Sequence, residues 1–340
     1  VQTCALPIYA GIGAVSAMTA SADALYFAVT GCGRIYRIGN DGLVTVFAGT
    51  GFDSLDKIEL RGDFLAIPAN RAAFSEIVDL AIDPAGNVLV ADRWWQKILR
   101  VTPAGVALRI AGASWDPGRD RREGIAAGVF FAAISSIAAL PDGSILVAQA
   151  PRPPTTGFGE LGLIDAGGNY RILFTLDGVN GRPVGNLSAY RIVPDIVRAS
   201  PDSAFYVFDR SSGMFPRVLP NGAVQHFLGL PPKPEMVTMN GKSSDFEVRY
   251  TTTPAADAEG NLYFGALGKL YRLSMEGELT HIAGNGGETP GGGNSPLDAA
   301  LGMRLNDRFE MLEIDAAGSL YWRVTGGIRK LAKDGKITDI

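Results

Sequence analysis

Five acidic residues have the chemistry of a hard-cation site. They share a place at or just before the start of a predicted first strand in a repeated unit, and they are Glu76, Asp79, Asp195, Asp307 and Glu310. Carboxylates from different repeats, together with backbone carbonyls and water, are the oxygen ligands that calcium binds in proteins. In the alternative interpretation, the same acids are solvated or pair with Arg71, Arg191 and Arg308. The sequence leaves both interpretations open and predicts no cofactor other than this calcium ion.

Histidine and cysteine chemistry is not expected. The chain has 2 histidines, His226 and His281, at the same place on the predicted outer strands of two repeats. Residues so placed cannot converge on a zinc ion or complete a Ser-His-Asp triad. Cys32 is the only cysteine beyond the first eight residues, so no disulfide framework is expected either. The sequence therefore identifies no catalytic residue.

A run of charged and aromatic side chains is the second candidate site. Asp92, Arg93, Trp94 and Trp95 directly follow an apolar run, Trp115 lies in the next insert, and a matching set two repeats later consists of Asp209, Arg210, Met214 and Phe215. Exposed aromatic rings supply a large contact area at a small entropic cost, so these loops suit a protein or carbohydrate partner. In the alternative interpretation, the aspartates bind loop amides and one tryptophan covers the core between repeats.

Short apolar strands must position these loops. The stretch IVDLAIDPAGNVLVADRWWQKILRVTPAGVALRIAG, at 77–112, contains four runs rich in Val, Ile and Leu, separated by clusters of Pro, Gly, Asp and Asn. This pattern predicts four antiparallel strands joined by two tight turns and one longer loop. The first turn recurs at intervals of 57 to 63 residues, at Asp23, Gly86, Gly143, Ser203, Gly260 and Gly318. The chain therefore consists of six copies of one unit.

The six copies predict an all-β fold, a six-bladed β-propeller of four-stranded antiparallel blades. Each such sheet has two apolar faces, which only packing against neighbouring sheets can bury. The predicted blades cover about residues 12–49, 77–112, 134–176, 196–229, 254–284 and 311–340, within one domain at 9–340. The inserts between blades and the loops between second and third strands are expected on one face. Loops on such a scaffold are where binding residues usually lie.

The repeat resembles the NHL repeat over about residues 9–340. The residues that carry the likeness in the clearest copy are Asp83, Gly86, Asn87, Ala91, Asp92, Ile98, Val101, Gly105, Ala111 and Gly112. The segments RGDFLAIPANRAAF and GNGGETPGGGNSPLDAAL are similar to linkers of bacterial Rhs/YD-repeat and teneurin-like proteins. The copies depart from the pattern where Asp23 and Ser203 replace the turn glycine, and where Gln149, Gly265 and Arg323 replace Asp92. The resemblance implies an NHL-type propeller within a larger protein.

Composition and the first residues narrow the setting. The net charge is −4 and there is no basic run, so no nucleic-acid partner is expected. No apolar run reaches the roughly 18 residues that cross a bilayer, so no membrane insertion is expected. Residues 1–8, VQTCALPI, match the translation of a sequencing adapter, and we predict that they are non-native and that the chain is a bacterial fragment. The expected compartment, implied by the resemblance, is extracellular or the cell envelope.

The sequence favours a non-catalytic binding or scaffold module that presents its long-loop face to a protein or a glycan. The alternative is a calcium-dependent lactonase or related hydrolase, similar to gluconolactonase and strictosidine-synthase-like propellers, with its site at the mouth of the central channel. Carboxylate or amide oxygens that converge on one point would favour the enzyme. An apolar channel would favour the binding module.

Overall fold

The computed structural model describes residues 14–51, 66–113, 123–149, 159–175, 196–208, 216–221, 223–226, 241–242, 252–287, 291, 295–303, 311–324 and 327–340. Strands dominate these residues, and the 3₁₀ turns Ala69–Arg71 and Ala126–Gly128 each have 3 residues. No helix in the described ranges has the length and apolarity needed to cross a membrane.

The first three blades lie in the first half of the chain. Blade 1 consists of β1 (Val15–Ala20), β2 (Ala24–Val29), β3 (Ile35–Gly39) and β4 (Val44–Ala48). A short strand, β5 (Ile67–Pro68), precedes blade 2, which consists of β6 (Ile77–Ile82), β7 (Val88–Asp92), β8 (Lys97–Val101) and β9 (Val106–Ala111). Likewise β10 (Gly124–Ile125) precedes blade 3, with β11 (Ile134–Ala139), β12 (Ile145–Gln149), β13 (Glu160–Ile164) and β14 (Asn169–Thr175).

The last three blades repeat the pattern with shorter strands. Blade 4 consists of β15 (Ile196–Ala199), β16 (Phe205–Phe208), β17 (Pro216–Val218) and β18 (Val224–His226). Blade 5 consists of β20 (Ala255–Ala256), β21 (Leu262–Ala266), β22 (Lys269–Leu273) and β23 (Glu278–Ala283), preceded by β19 (Gly241–Lys242). Blade 6 consists of β24 (Leu312–Ile314), β25 (Leu320–Val324), β26 (Gly327–Leu331) and β27 (Ile337–Asp339).

Each blade is an antiparallel sheet whose four core strands follow chain order, which confirms the predicted all-β, six-bladed β-propeller. The sequence did not predict the fifth strands. β5, β10 and β19 are two-residue strands that precede their blades in the chain. Each lies alongside the outer strand of that blade as a fifth strand, and they pair with β9, β14 and β23. A two-residue strand is too short to show a period, so no sequence pattern marks it.

The blades fall into two compact units, which are described separately. The first comprises Val1–Pro183 with Val193–Val197, and the second comprises Val184–Ile192 with Arg198–Ile340. Blades 1 to 3 belong to the first unit, and blades 5 and 6 belong to the second. The boundary passes through β15 of blade 4.

The strands of blade 2 fill two separate cores within the first unit. In β7, Val88 and Val90 pack with blade 1 residues such as Ile35, while Leu89 and Ala91 pack with blade 3 residues such as Ile137. Consecutive side chains of a strand point to opposite faces. Blade 2 therefore separates two cores and contributes one face to each. This explains why its strands are apolar throughout and do not alternate with polar residues.

The turn between the first and second strands has a fixed conformation in five blades. Its fourth residue has positive φ in every one of them: 79° at Gly86, 84° at Gly143, 63° at Ser203, 85° at Gly260 and 84° at Gly318. In blade 1 the backbone N–H of Ser21 donates to the carbonyl of Ala24, whereas the matching bond in blade 2 joins Asp83 to Asn87. The turn of blade 1 is therefore one residue shorter, and Asp23 does not have positive φ. Ser203 therefore keeps the turn but carries a side chain in a region that favours glycine.

A second set of glycines ends the outer strands. Their φ values are 101° at Gly49, 95° at Gly112 and 94° at Gly284. A Cβ at Gly112 would clash with the carbonyl oxygen of Gln96, which lies in the loop before β8. The equivalent carbonyls, those of Gly33 and Gly268, block a Cβ at the other two glycines. Only glycine can therefore follow the outer strand at this point.

These three glycines attach blades 1, 2 and 5 to the linkers that follow them. Gly49 donates its N–H to Ala69 (2.9 Å), Gly112 to Ala126 (3.0 Å) and Gly284 to Pro296 (2.9 Å). The linker residue Ala69 in turn donates to the carbonyl of Gly105 in the last turn of blade 2, at 2.7 Å. One linker residue thus bonds two successive blades, and its side chain is buried between them.

We expect Ser203→Gly to raise the free energy of unfolding by about 1 kcal/mol, because glycine adopts this turn conformation without the steric cost that serine bears. Chemical denaturation of the whole chain measures the change. Gly143→Ser, at the matching position of blade 3, is the control and should lower stability by a similar amount. A loss of stability in Ser203→Gly would contradict the assigned turn.

Candidate functional site

Asp92 organises the loop between β7 and β8. Its carboxylate accepts hydrogen bonds from the backbone N–H groups of Ser75 (2.7 Å), Glu76 (3.3 Å) and Trp95 (3.1 Å), and the residue is fully buried. Burial raises the pKa of Asp92, and the three backbone donors act in the opposite direction. Asp92 is therefore a positioning residue that joins this loop to the entry of β6, as the alternative interpretation of the sequence expected.

Arg93 and Gln96 anchor the loop on both sides of its two tryptophans. Arg93 donates from Nε to the carbonyl of Ile134 (3.2 Å) and forms an ion pair between Nη1 and Glu76 Oε1 at 3.3 Å. Gln96 donates from Nε2 to the carbonyl of Ala132 at 3.1 Å. Both carbonyls belong to the chain entering blade 3, so the loop of blade 2 is fixed to its neighbour.

Trp94 is the exposed residue of this anchored loop. Its exposed fraction is 71%, whereas Trp95 is partly buried. Among the described residues, the other exposed large apolar side chains lie in a turn, on an outer strand, in linkers or at the last residue: Leu43, Val46, Ile125, Leu297 and Ile340. The loop therefore presents one indole ring to solvent from a fixed backbone.

Gln96 has a backbone conformation that the sequence did not reveal. Its φ is 58°, and Gly33 and Gly268 occupy the same position in blades 1 and 5 with φ of 57° and 71°. A left-handed conformation costs a residue with a side chain about 1 kcal/mol or more. The segments CGRI, WQKI and LGKL, which lead into the third strands, align Gln96 with the two glycines. This alignment was the sequence signal that could have identified the left-handed conformation of Gln96.

The equivalent loops of other blades are held differently. Gln149 takes the place of Asp92 in blade 3, and its Oε1 accepts the N–H of Ala132 at 2.8 Å. The expectation that Gly265 and Arg323 occupy this place was wrong by one residue. Asp92 pairs with Lys97 across the hairpin, and the matching pairs are Ala266 with Lys269 and Val324 with Gly327.

The amide of Gln149 also joins a buried polar cluster in blade 3. Its Nε2 donates to Glu160 Oε1 (2.7 Å) and to the hydroxyl of Tyr170 (3.0 Å), and the tyrosine hydroxyl donates to the same Glu160 oxygen at 2.8 Å. Tyr170 lies over Gly162, where a Cβ would clash with its ring and hydroxyl. These bonds satisfy the buried groups, so the cluster has a structural role.

The described acidic candidates are both engaged by protein groups. Asp79 is buried, and its Oδ2 accepts the hydroxyl of Ser136 and the N–H of Ile137 at 3.0 Å. The Ser136 oxygen accepts the N–H of Val197 in turn, at 3.2 Å. Glu76 pairs with Arg93. Asp79 thus ties β6 to β11, and a cation would have to displace these bonds.

No group of three or more His, Cys, Asp and Glu side chains suited to a metal ion occurs within the described residues. The other predicted site residues lie outside those residues: Trp115, Asp195, Asp209, Arg210, Met214, Phe215, Asp307 and Glu310. His281 supports the end of its outer strand, where Nε2 lies 2.8 Å from the carbonyl of Gly284. Arg109 bonds the carbonyl of Gly112 from the same repeat position.

The second unit contains a buried ion pair that the sequence did not indicate. Arg198 on β15 donates from Nε to the carbonyl of Pro254 (2.9 Å), and its Nη2 lies 3.6 Å from Glu313 Oε1 on β24. Both side chains are nearly buried, with exposed fractions of 12% and 13%. Ala255, which has a small side chain, occupies the matching position on β20 of the intervening blade.

The fold defines the class of this protein as a six-bladed β-propeller, and solved structures support that class. No protein-family model matches the chain, and no curated protein matches it either. A Bacteroides thetaiotaomicron protein of unknown function is similar with a TM-score of 0.62 and 14% identity, over 95% of this chain and 70% of that one. At such identity the likeness shows the fold alone.

Solved structures of proteins with a stated function are similar to the same degree. An auxiliary nutrient binding protein from Bacteroides thetaiotaomicron has a TM-score of 0.59 and 11% identity, covering 97% of this chain and 70% of that one. A gluconolactonase from Xanthomonas campestris has a TM-score of 0.57 and 12% identity, covering 97% and 88%. The finer likeness to NHL domains of Rhs and teneurin-like proteins therefore stays a prediction.

We expect Asp92→Ala to lower the free energy of unfolding by about 3 kcal/mol, because it leaves three backbone N–H groups without their acceptor. The pKa of Asp92 is raised in the folded state, so the unfolded chain loses this proton first and the contribution of Asp92 to stability falls as the pH rises. The difference in unfolding free energy between the native protein and Asp92→Asn should accordingly shrink from acidic to neutral pH. Denaturation across that range measures it, and a difference that grows with pH would contradict the assignment.

Proposed function

We propose that the chain is a non-catalytic binding module that engages its partner through the loop at 93–96 of blade 2. The observation that carries the proposal is the 71% exposure of Trp94 between two anchored neighbours. A rigid aromatic side chain loses little entropy on binding, and tryptophan is enriched among the residues that dominate binding energy. Exposing such a ring in water has no benefit for folding.

The setting of this module rests on the resemblance to NHL repeats. Linkers similar to those of Rhs/YD-repeat and teneurin-like proteins support a place within a larger extracellular or envelope protein. The described part of the linkers serves packing between blades, as Ala69 and Ala126 do. This leaves the loops between second and third strands for recognition, in agreement with the usual division between scaffold and loops.

A calcium-dependent lactonase is the second candidate, and the likeness to a gluconolactonase supports it at the level of fold. A shared fold does not imply a shared activity. The chemistry of the described acids favours binding over catalysis, because Asp79 already bonds Ser136 and Ile137 and because Glu76 pairs with Arg93.

We expect Trp94→Ala to weaken the module's binding by at least about tenfold, as truncation of a central aromatic residue does. The probes are a random-peptide phage library and an array of immobilised glycans, each screened against the whole chain. Leu43→Ala is the matched control, since Leu43 is 63% exposed in the turn between β3 and β4 of blade 1. If every ligand recovered binds both variants like the native protein, the proposal is wrong.

We expect calcium chloride to leave the melting temperature unchanged. An ion that binds only the folded protein stabilises it by mass action, so a lactonase with a calcium site should show a melting temperature that rises with calcium concentration. Magnesium chloride at the same ionic strength is the control for screening. A rise specific to calcium would favour the enzyme.

A further inference from the structure

The surroundings of Trp94 indicate the chemical class of its partner. The core of a protein interface gathers several large side chains, such as Trp, Tyr and Arg, in one buried cluster. Here one exposed ring lies next in the chain to Arg93, whose guanidinium pairs with Glu76, and both charged side chains are about half exposed, at 41% and 47%. An apolar ring that follows a charged donor in the chain, with an acceptor paired to that donor, suits a ligand that has one apolar face and one polar edge.

A pyranose ring has one apolar face and a polar edge. One of its faces presents C–H groups, which carry partial positive charge and suit the negative face of an aromatic ring. Its edge presents neighbouring hydroxyls, each of which both donates and accepts. An indole ring, next in the chain to a guanidinium that pairs with a carboxylate, supplies one partner for each part of such a ligand.

The ion pair has unused hydrogen-bonding capacity on both sides. Arg93 uses Nε for Ile134 and Nη1 for Glu76, and Glu76 uses Oε1 for Arg93. Within the described residues, Arg93 Nη2 and Glu76 Oε2 have no partner. A donor and an acceptor in one fixed pair can bind two adjacent hydroxyls, and the bond to Ile134 keeps the guanidinium in place as they do so.

We propose that Trp94 and the Arg93–Glu76 pair form a shallow subsite for one pyranose residue of a glycan. The sugar face stacks on the Trp94 indole, while adjacent hydroxyls accept from Arg93 Nη2 and donate to Glu76 Oε2. This inference rests on the binding function proposed above and specifies the ligand. Because the loop is fixed by Asp92 and Gln96 before the sugar arrives, little ordering accompanies binding.

The test is a titration of the whole chain with neutral oligosaccharides of glucose, galactose, mannose and N-acetylglucosamine, followed by NMR of the indole N–H groups. The chain has 4 tryptophans, and Trp94→Phe assigns the resonance. We expect one oligosaccharide series to shift the Trp94 signal. Trp94→Ala should then reduce affinity at least about tenfold. Glu76→Gln, which removes only the charge, should reduce it by about threefold.

The controls separate this inference from the function on which it rests. Leu43→Ala should bind like the native protein, and all variants should keep the native melting temperature, because the substituted residues are exposed. Peptide ligands that depend on Trp94 without any bound saccharide would overturn the sugar subsite and leave the binding module intact. A saccharide that binds Trp94→Ala unchanged would also overturn the subsite. Failure of saccharides and peptides alike would overturn both proposals.

Discussion

The packing of successive blades depends on one backbone constraint, the positive φ of the glycine that ends an outer strand. At Gly112 this conformation places the backbone against the carbonyl oxygen of Gln96. It also directs the N–H of Gly112 to the carbonyl of Ala126 in the next linker. No residue with a Cβ fits, so the contact between linker and blade requires glycine at this point. The small side chains of the linkers follow from the same geometry, since Ala69 and Ala126 are buried where blades meet.

This constraint leaves the loops at the start of the third strands free to differ. They need only an acceptor or donor that fixes the chain entering the blade, and the blades meet this need with different groups. Blade 2 uses the Asp92 carboxylate, blade 3 uses the Gln149 amide, and blade 5 uses the Thr252 hydroxyl, which accepts the N–H of Gly265 at 2.8 Å. Variation of this kind changes the surface without a change in the scaffold, which is how a repeat protein acquires one distinctive loop.

The sequence predicted the fold because the fold is periodic. Apolar runs, turn glycines and the Ala-Gly pairs recur with each blade, so the strands of blade 2 could be placed almost to the residue. Contacts between side chains from different blades carry no period. The bond between Asp79 and Ser136 and the pair of Arg198 with Glu313 join residues more than fifty positions apart, and only the structure shows them. The error at Gly265 arose because the sequence was aligned by counting residues before a loop of variable length. Strand pairing in the structure gives Ala266 as the residue that matches Asp92.

For the candidate site, the sequence identified the four residues from Asp92 to Trp95 but not their division of labour. Composition alone could not show that Asp92 is buried and positions the loop while Trp94 is exposed. Nor could it show the importance of Gln96, which adopts a conformation that blades 1 and 5 give to glycine. Selection for stability alone would favour glycine there, as at Gly33 and Gly268. The side chain that replaces it bonds Ala132 and holds the loop beside Trp94, so the steric cost coincides with the one ring that the described loops expose. Backbone strain retained next to an exposed, anchored aromatic residue agrees with the binding role proposed for this loop.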